Sequence, residues 1–200
     1  IAGNVIRYIK SNGIVVGHYG TSVLVDSNVV ADIDSSGLTY QPNFSWGEAI
    51  ITRNLFTGAR REGLLINEWN GWASVNDNNI EGNPEYGVRV TYTGEGGRVD
   101  ATNNWWGDPS GPSVCDETGC GGTGDSVDAN SVNWSPFRIA RNDSVPLLPV
   151  GPAPRFMAAV RAVPFTGGVA STNQLDATIR GGERLHAPKV RRAQPAAASR

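Results

Sequence analysis

Residues 54–66 read NLFTGARREGLLI, and residues 28–40, NVVADIDSSGLTY, repeat the same order of residue types. Each stretch opens with an asparagine, continues with apolar residues and has a glycine nine positions after the asparagine.

This spacing extends along the chain in both directions. Asparagines recur 24, 26, 24 and 26 residues apart at Asn4, Asn28, Asn54, Asn78 and Asn104. Glycines follow the first four of them at Gly13, Gly37, Gly63 and Gly87. A fixed period of this length indicates a repeat architecture.

Each repeat contains three short segments in which apolar and polar residues alternate. In the first repeat their apolar positions are Ile6, then Ile14 and Val16, then Val23 and Val25. Alternation with period two indicates β-strands, and the glycine, asparagine and serine residues between them indicate turns. The sequence therefore predicts an all-β parallel β-helix, a single-stranded solenoid of about 4–5 coils of 24–26 residues. Stacked asparagine amides can bond one another, and we expect the glycines to supply backbone turns that other residues resist.

The repeat ends at residues 103–112, which read NNWWGDPSGP. Asn104 and Trp106 fill the asparagine position and the apolar position after it, but a serine stands where the next glycine is due. A solenoid has to cover its last apolar layer, and a Gly-Asp-Pro sequence cannot continue an inner strand. We therefore interpret Trp105 and Trp106 as a terminal cap, and residues 113–143 as a capping loop with an end strand.

The asparagine–glycine repeat, the NNWWGDPSGP motif and the following GTGDSVDANSVNWSPF resemble a known family. They are similar to the right-handed parallel β-helix repeat proteins of the pectin-lyase-like superfamily, especially its NosD-like and related extracellular or periplasmic members. The resemblance covers about residues 1–140 and implies a right-handed solenoid. Because Asn4 is already in register, we expect the chain to be the C-terminal end of a longer solenoid, with upstream coils of the same polypeptide as its neighbour.

Composition changes near the end of the repeat region. Residues 1–150 contain 9 Lys/Arg and 17 Asp/Glu, whereas residues 151–200 contain 8 and 2. The excess of acidic residues in the solenoid argues against nucleic acid as its partner. No apolar run approaches the length of about eighteen residues that a membrane span needs.

We assign the coils and terminal motif to 1–112, a Pro-rich linker to 144–154, and a basic, mostly disordered tail to 155–200, with a weak strand at 156–163.

The two cysteines, Cys115 and Cys120, lie five positions apart. We interpret them as a disulfide of an oxidising compartment, with free thiols or a metal site as the alternatives. Two thiols without a nearby histidine do not complete a zinc site, so we predict no metal centre there. We predict no cofactor, with calcium as the alternative, because acidic side chains recur in the final loops. These are Asp108, Asp116, Glu117, Asp125 and Asp128.

Carboxylates are the first candidates for catalysis, because several members of the superfamily cleave or epimerise acidic polysaccharides. Asp32 and Asp34 lie two positions apart on a strand-like segment, and Glu68 is a third candidate. The repeat, however, places Asp34 between Lys10 and Arg60 of the neighbouring coils. Opposite charges in adjacent strands favour a structural ion-pair ladder over a catalytic pair.

Aromatic and polar residues recur on one flank of the predicted solenoid, mostly fourteen and fifteen positions after each asparagine. Rings interleaved with polar groups are suited to contact sugars, although the same rings could instead pack turns against the sheet edge. The carbohydrate-binding candidates are His18, Tyr19, Trp46, Glu68, Trp69, Trp72 and Tyr92.

We therefore expect a non-enzymatic scaffold that is extracellular, on the cell surface or periplasmic, and that binds a polysaccharide or cell-surface glycan along its flank. The first alternative is a fragment of a polysaccharide lyase, hydrolase or epimerase whose catalytic coils lie upstream. The second alternative is a periplasmic accessory protein of the NosD-like kind.

Overall fold

The computed structural model describes residues 1–17, 22–41, 48–67, 72–92, 98–116, 119–150 and 160–161. Residues 72, 92, 116, 119, 160 and 161 are described by their backbone only. The chain divides into two units, Ile1–Thr166 and Gly167–Arg200, and every described residue belongs to the first. No helix of the length and apolarity needed to cross a membrane occurs in the described ranges.

Short β-strands make up the described secondary structure. In chain order they are β1 (Val5–Arg7), β2 (Ile14–Val16), β3 (Val23–Asp26), β4 (Val29–Ile33), β5 (Leu38–Tyr40), β6 (Glu48–Thr52), β7 (Leu55–Ala59), β8 (Glu62–Asn67), β9 (Trp72–Asn76), β10 (Asn79–Glu81), β11 (Tyr86–Tyr92), β12 (Val99–Asp100), β13 (Pro112–Asp116), β14 (Gly119–Gly121), β15 (Gly124–Ser126), β16 (Val132–Asn133) and β17 (Val160–Arg161).

Successive coils stack their strands into three parallel sheets. The orders are β1-β4-β7-β10, β17-β2-β5-β8-β11 and β3-β6-β9-β12-β16. Within the first sheet, Val5 pairs with Val29, Val29 with Leu55, and Leu55 with Asn79. The chain thus makes three full turns between β1 and β10 and continues through β12. The predicted parallel β-solenoid, with three strands per coil and a period of 24–26 residues, is confirmed.

Side chains that point inward from the three sheets form one continuous apolar core. The apolar position two residues after each ladder asparagine is buried in every coil. These residues are Ile6, Val30, Phe56, Ile80 and Trp106. Because each coil is too small to bury its own apolar face, stability depends on the layers above and below it.

The asparagines form a continuous hydrogen-bonded ladder along the solenoid. The backbone N–H and the Nδ2 of Asn28 both donate to Oδ1 of Asn54, each at 2.9 Å. Asn54 donates in the same way to Asn78, and Asn78 donates to Asn104. Asn4 donates to Asn28 at the first coil, where it is exposed, whereas the other four are fully buried. Each buried amide is therefore satisfied by its neighbours in the stack, as most buried polar groups in proteins are.

The same amides also hold a sharp turn in the backbone. The residue before each asparagine has a left-handed φ, for example 55° at Ser27 and 53° at Arg53. The Nδ2 of Asn28 donates to the carbonyl oxygen of Asp26, two residues earlier, and Asn54 does the same to Thr52. This bond spans the left-handed residue and offsets the strain of that conformation, which costs roughly 1–2 kcal/mol for a residue with a Cβ.

The glycine column permits close approach between coils and does not supply left-handed turns. Gly13, Gly37, Gly63 and Gly87 are not among the residues of positive φ. A Cβ added to Gly37 would lie 2.6 Å from the carbonyl oxygen of Gly63, and one added to Gly63 would lie 2.8 Å from that of Gly87. Our expectation about their backbone geometry was therefore wrong. Glycine is needed because a side chain would collide with the backbone of the next coil or, at Gly87, with the side chains of Asp125, Ile80 and Trp106.

The chain after the last coil folds over its open end. Trp106 is fully buried, and its carbonyl oxygen accepts the N–H of Asp125 at 2.7 Å. The carboxylate of Asp125 in turn accepts the N–H groups of Gly82 and Asn83 and the Nδ2 of Asn83, at 2.7–2.9 Å. Burial raises the pKa of Asp125, and the bonds from Asn83 and Gly82 oppose that rise. The cap thus accepts hydrogen bonds from N–H groups of the last coil, which a further coil would otherwise have to accept.

Residues 138–150, which we call the return segment, run back along the outside of the first sheet. Arg138 forms an ion pair with Asp77 at 2.6 Å. The backbone N–H of Asn142 donates to Oδ1 of Asn79 at 2.8 Å, and its Nδ2 donates to the carbonyl oxygen of Asp77 at 2.7 Å. At the first coil, a guanidinium nitrogen of Arg7 lies 3.4 Å from the carbonyl oxygen of Pro149.

An apolar contact completes the packing of the return segment. Val145 is 3% exposed and packs with Val29, Ala31 and Leu55, which point outward from the sheet. Residues 144–150, predicted as the first part of a Pro-rich linker, thus contribute to the folded unit. The backbone of Val160–Arg161 adds β17 to the edge of β2, within the weak strand predicted at 156–163.

Replacing Val145 with aspartate should detach the return segment. Fully burying a valine contributes about 1.5–3 kcal/mol, and a carboxylate cannot be buried against the outward-facing apolar patch. We expect a loss of about 2 kcal/mol in the free energy of unfolding and faster proteolytic cleavage within residues 138–150. Val150→Asp is the matched control, because Val150 is fully exposed. Equal protease resistance in the two variants would contradict the packing described.

Candidate functional site

The predicted sugar-binding flank lies largely outside the described residues. His18, Tyr19, Trp46, Glu68 and Trp69 fall outside them, and Trp72 and Tyr92 are described by backbone alone. Their role in binding therefore stays a prediction, as does a catalytic role for Glu68.

The two other catalytic candidates are engaged with arginines of neighbouring coils. Asp32 is exposed and pairs with Arg7 at 2.9 Å. Asp34 lies 3.9 Å from Arg60, the cation that the repeat places one coil further on. Both contacts join successive turns of the first sheet, as a structural ion-pair ladder would.

A groove of about 610 Å³ opens where the cap meets the last coil. One wall is the turn into β11, and the opposite wall is formed by β13 and the loop after β15. Its polar and aromatic side chains come from segments far apart in sequence. They are Glu85, Tyr86, Ser113, Ser126, Asp128 and Asn130. Hydroxyl, amide and carboxylate groups beside an aromatic ring provide both hydrogen bonds and an apolar surface, a combination typical of ligand sites.

An ion-pair network around a buried glutamate supports the Tyr86 side of the groove. Glu62, paired in register with Tyr86, has a fully buried side chain and accepts the Ser36 hydroxyl at 2.7 Å. Arg89 and Arg61 approach the same carboxylate at 3.2 Å and 3.4 Å. The guanidinium carbon of Arg89 also lies 5.4 Å from the centroid of the Tyr86 ring, within cation–π range. The network therefore fixes the arginine that packs over this ring.

The opposite wall is fixed by the cap hairpin. A disulfide joins Cys115 to Cys120 across β13 and β14, and Cys115 also lines the groove. The backbone of Val127 bridges to Val88 of the last coil. The disulfide thus holds the cap hairpin together and the backbone bridge holds the cap wall against the coil wall, so the groove is preformed.

The two carboxylates of the groove differ in their partners. Glu85 lies 3.5 Å from Arg61, so its charge is matched by a neighbouring cation. Asp128 accepts the N–H of Asn130 at 3.2 Å through Oδ1, and no ion pair of Asp128 occurs within the described part of the chain. Asp128 is consequently the groove carboxylate that has no cationic partner among the described residues.

A comparison with protein families agrees with the stacked coils. The model of the right-handed β-helix region matches residues 1–105, which is more than half of the chain. The chain belongs to the right-handed β-helix family. No curated protein and no solved structure gives a significant match. The family match on this β-helix ends at Trp105, so the groove walls contributed by β13 and β15 lie beyond it.

The acidic residues considered for calcium are separated in this β-helix. Asp108 bonds the hydroxyl and N–H of Ser110, and the Ser110 hydroxyl lowers the pKa of Asp108. Asp125 bonds the turn of the last coil, and Asp128 lines the groove. The side chain of Asp116 and all of Glu117 lie outside the described residues. Among the described residues no three potential ligand side chains are close enough to hold a metal ion.

The groove is the feature that the sequence did not indicate. Its residues lie on a repeat turn and in the capping loop, and only the folding of the cap over the last coil brings them together. One signal was present: Tyr86 and Glu85 directly precede the last glycine of the column, where the following coil is replaced by the cap.

Proposed function

We propose that this right-handed β-helix protein is an extracellular or periplasmic scaffold that binds a glycan in the groove between its last coil and its cap. The observation that carries the proposal is the preformed groove, in which Tyr86 lies among hydroxyl, amide and carboxylate side chains. Sugars present both hydroxyl groups and apolar C–H faces, so a site for them needs both kinds of surface.

The ladder of ion pairs supports a scaffold over a catalyst. Asp32 and Asp34, the described catalytic candidates, form ion pairs with arginines of neighbouring coils, Asp32 on β4 of the first sheet and Asp34 directly after that strand. The groove lies instead beside β11, which belongs to the second sheet. Together with this function, we propose that the chain belongs to the NosD-like group of the pectin-lyase-like superfamily.

An oxidising location is part of the proposal. The Cys115–Cys120 disulfide joins two exposed residues, and such bonds persist in secreted and periplasmic proteins but are rare in the cytosol. An oxidising compartment would keep the cap hairpin crosslinked and the groove formed.

Binding can be tested by titrating the full chain with soluble neutral, amine-bearing and uronic-acid oligosaccharides. We expect at least one class to bind, and Tyr86→Ala to weaken that binding about tenfold or more, because aromatic side chains in pockets carry much of the binding energy.

Tyr8→Ala provides a matched control for that experiment. Tyr8 also lies beneath an arginine, with Arg7 4.6 Å from its ring centroid, but it belongs to the first coil and is not part of the groove. We expect its affinity to stay within twofold of the parent protein. Absence of binding by the parent, or equal losses in the two variants, would contradict the proposed site.

A further inference from the structure

We propose that the groove selects an amine-bearing glycan, a chain of glucosamine units, over a uronic-acid polymer. This inference rests on the proposed function, because it names the sugar class that the same groove would take. The observation behind it is the distribution of charged side chains around the groove.

The described lining contains two carboxylates and no lysine, arginine or histidine. The nearby arginines are already paired, Arg61 with Glu85 and Glu62, and Arg89 with Glu62. A uronic-acid polymer carries one carboxylate per sugar and would bring like charge toward this lining without gaining an unpaired cation. Juxtaposed like charges oppose association and so discriminate against such a ligand.

Asp128 offers the complementary contact for a positive ligand. Its Oδ1 accepts the N–H of Asn130, and its other oxygen forms no hydrogen bond within the described residues. The ammonium of glucosamine is a donor with full positive charge, and hydrogen bonds between an ammonium and a carboxylate are shorter and stronger than neutral ones. Because Asp128 is half-buried beside the cap, this contact is less screened by solvent than one on an open surface.

The amine can be tested with ligands that differ in little else. Glucosamine and glucose oligomers of the same length and linkage carry an ammonium or a hydroxyl at the same ring position, and a galacturonate oligomer supplies the anionic comparison. In titrations at mildly acidic pH and low salt, we expect the glucosamine oligomer to bind about fivefold more tightly than the glucose oligomer. We expect the galacturonate oligomer to bind most weakly.

Asp128→Asn is the decisive variant. Asparagine keeps the Oδ1 that accepts the Asn130 N–H, so the loop should retain its structure while the charge is removed. We expect the ratio of the glucosamine affinity to the glucose affinity to fall to about one, because the variant no longer presents a negative charge to the ammonium. Added salt should reduce the preference in the parent protein but not in the variant.

The outcomes separate this inference from the proposed function. Binding that depends on Tyr86 but favours galacturonate, or a glucosamine preference that survives Asp128→Asn, would overturn the charge assignment and leave the glycan site standing. If none of the three oligomers binds the parent protein, both proposals fail.

Discussion

Asn54→Leu should strongly destabilise the solenoid, because Asn54 lies in the middle of the ladder. Asn54 accepts two bonds from Asn28 and donates to the carbonyl oxygens of Val25 and Thr52 and to Oδ1 of Asn78. Leucine can replace none of these, and each buried group left unpaired costs about 1–3 kcal/mol. We expect a loss of about 4 kcal/mol or more in the free energy of unfolding, seen as a fall of roughly 8–16 °C in the thermal midpoint.

Asn4→Leu is the control within the same column. Asn4 is exposed, and within the described residues its side chain donates to Ala2 and Asn28 alone. The same chemical change should cost less than about 1 kcal/mol, because water can satisfy the exposed carbonyl oxygen of Ala2 and Oδ1 of Asn28 still accepts the backbone N–H of residue 4. Similar losses in the free energy of unfolding for the two variants would contradict the claim that burial determines how much each asparagine stabilises the solenoid.

Trp106→Ala should open the capped end of the solenoid. The indole ring is fully buried, and a Cβ placed on Gly87 would lie 3.1 Å from its Cζ3. Truncating a buried tryptophan to alanine costs about 3–5 kcal/mol, and the last apolar layer would then be exposed to water. We expect both a lower thermal midpoint and concentration-dependent association, measured by calorimetry and light scattering.

Trp106→Phe separates the ring from the rest of the residue. Phenylalanine keeps an aromatic plug and removes an indole N–H that has no partner among the described residues. We expect less than half of the loss seen with alanine and no association. A fully stable, monomeric Trp106→Ala protein would refute the assignment of this residue to the cap.

The period of the asparagines was sufficient to predict the architecture because each coil repeats the same hydrogen-bonding requirement. Asn28, Asn54 and Asn78 are buried donors and acceptors that only an identical neighbour can satisfy fully, so their spacing reports the length of a coil. Local preferences and the tertiary fold coincide at these positions, which is why sequence reasoning succeeds there.

The reason for the glycine column could not be read from the sequence. Glycine commonly indicates a left-handed turn, but here Ser27, Arg53 and Asp77 take that conformation. Because the residue at this position differs from coil to coil, no single residue type marks the left-handed turn in the sequence. Gly13, Gly37 and Gly63 instead face the backbone of the next coil, a contact that becomes visible only when the coils are stacked.

Two further features depend on contacts between segments distant in sequence. Proline-rich residues after 144 have the composition of a linker, yet Val145 is buried by apolar residues that point outward from the first sheet. The groove likewise joins Tyr86 to Asp128 across the boundary between repeat and cap. Periodicity describes how one coil relates to the next and carries no information about segments that leave the repeat.

Nuclear magnetic resonance can detect the asparagine ladder directly, through scalar couplings across hydrogen bonds. The backbone nitrogens of Asn28, Asn54 and Asn78 should each couple to the side-chain carbonyl carbon of the asparagine in the next coil, at Asn54, Asn78 and Asn104. Three such couplings, in that order, are the predicted result. Couplings from these nitrogens to backbone carbonyl carbons instead would show that the amides do not stack, and would contradict the fold on which the groove depends.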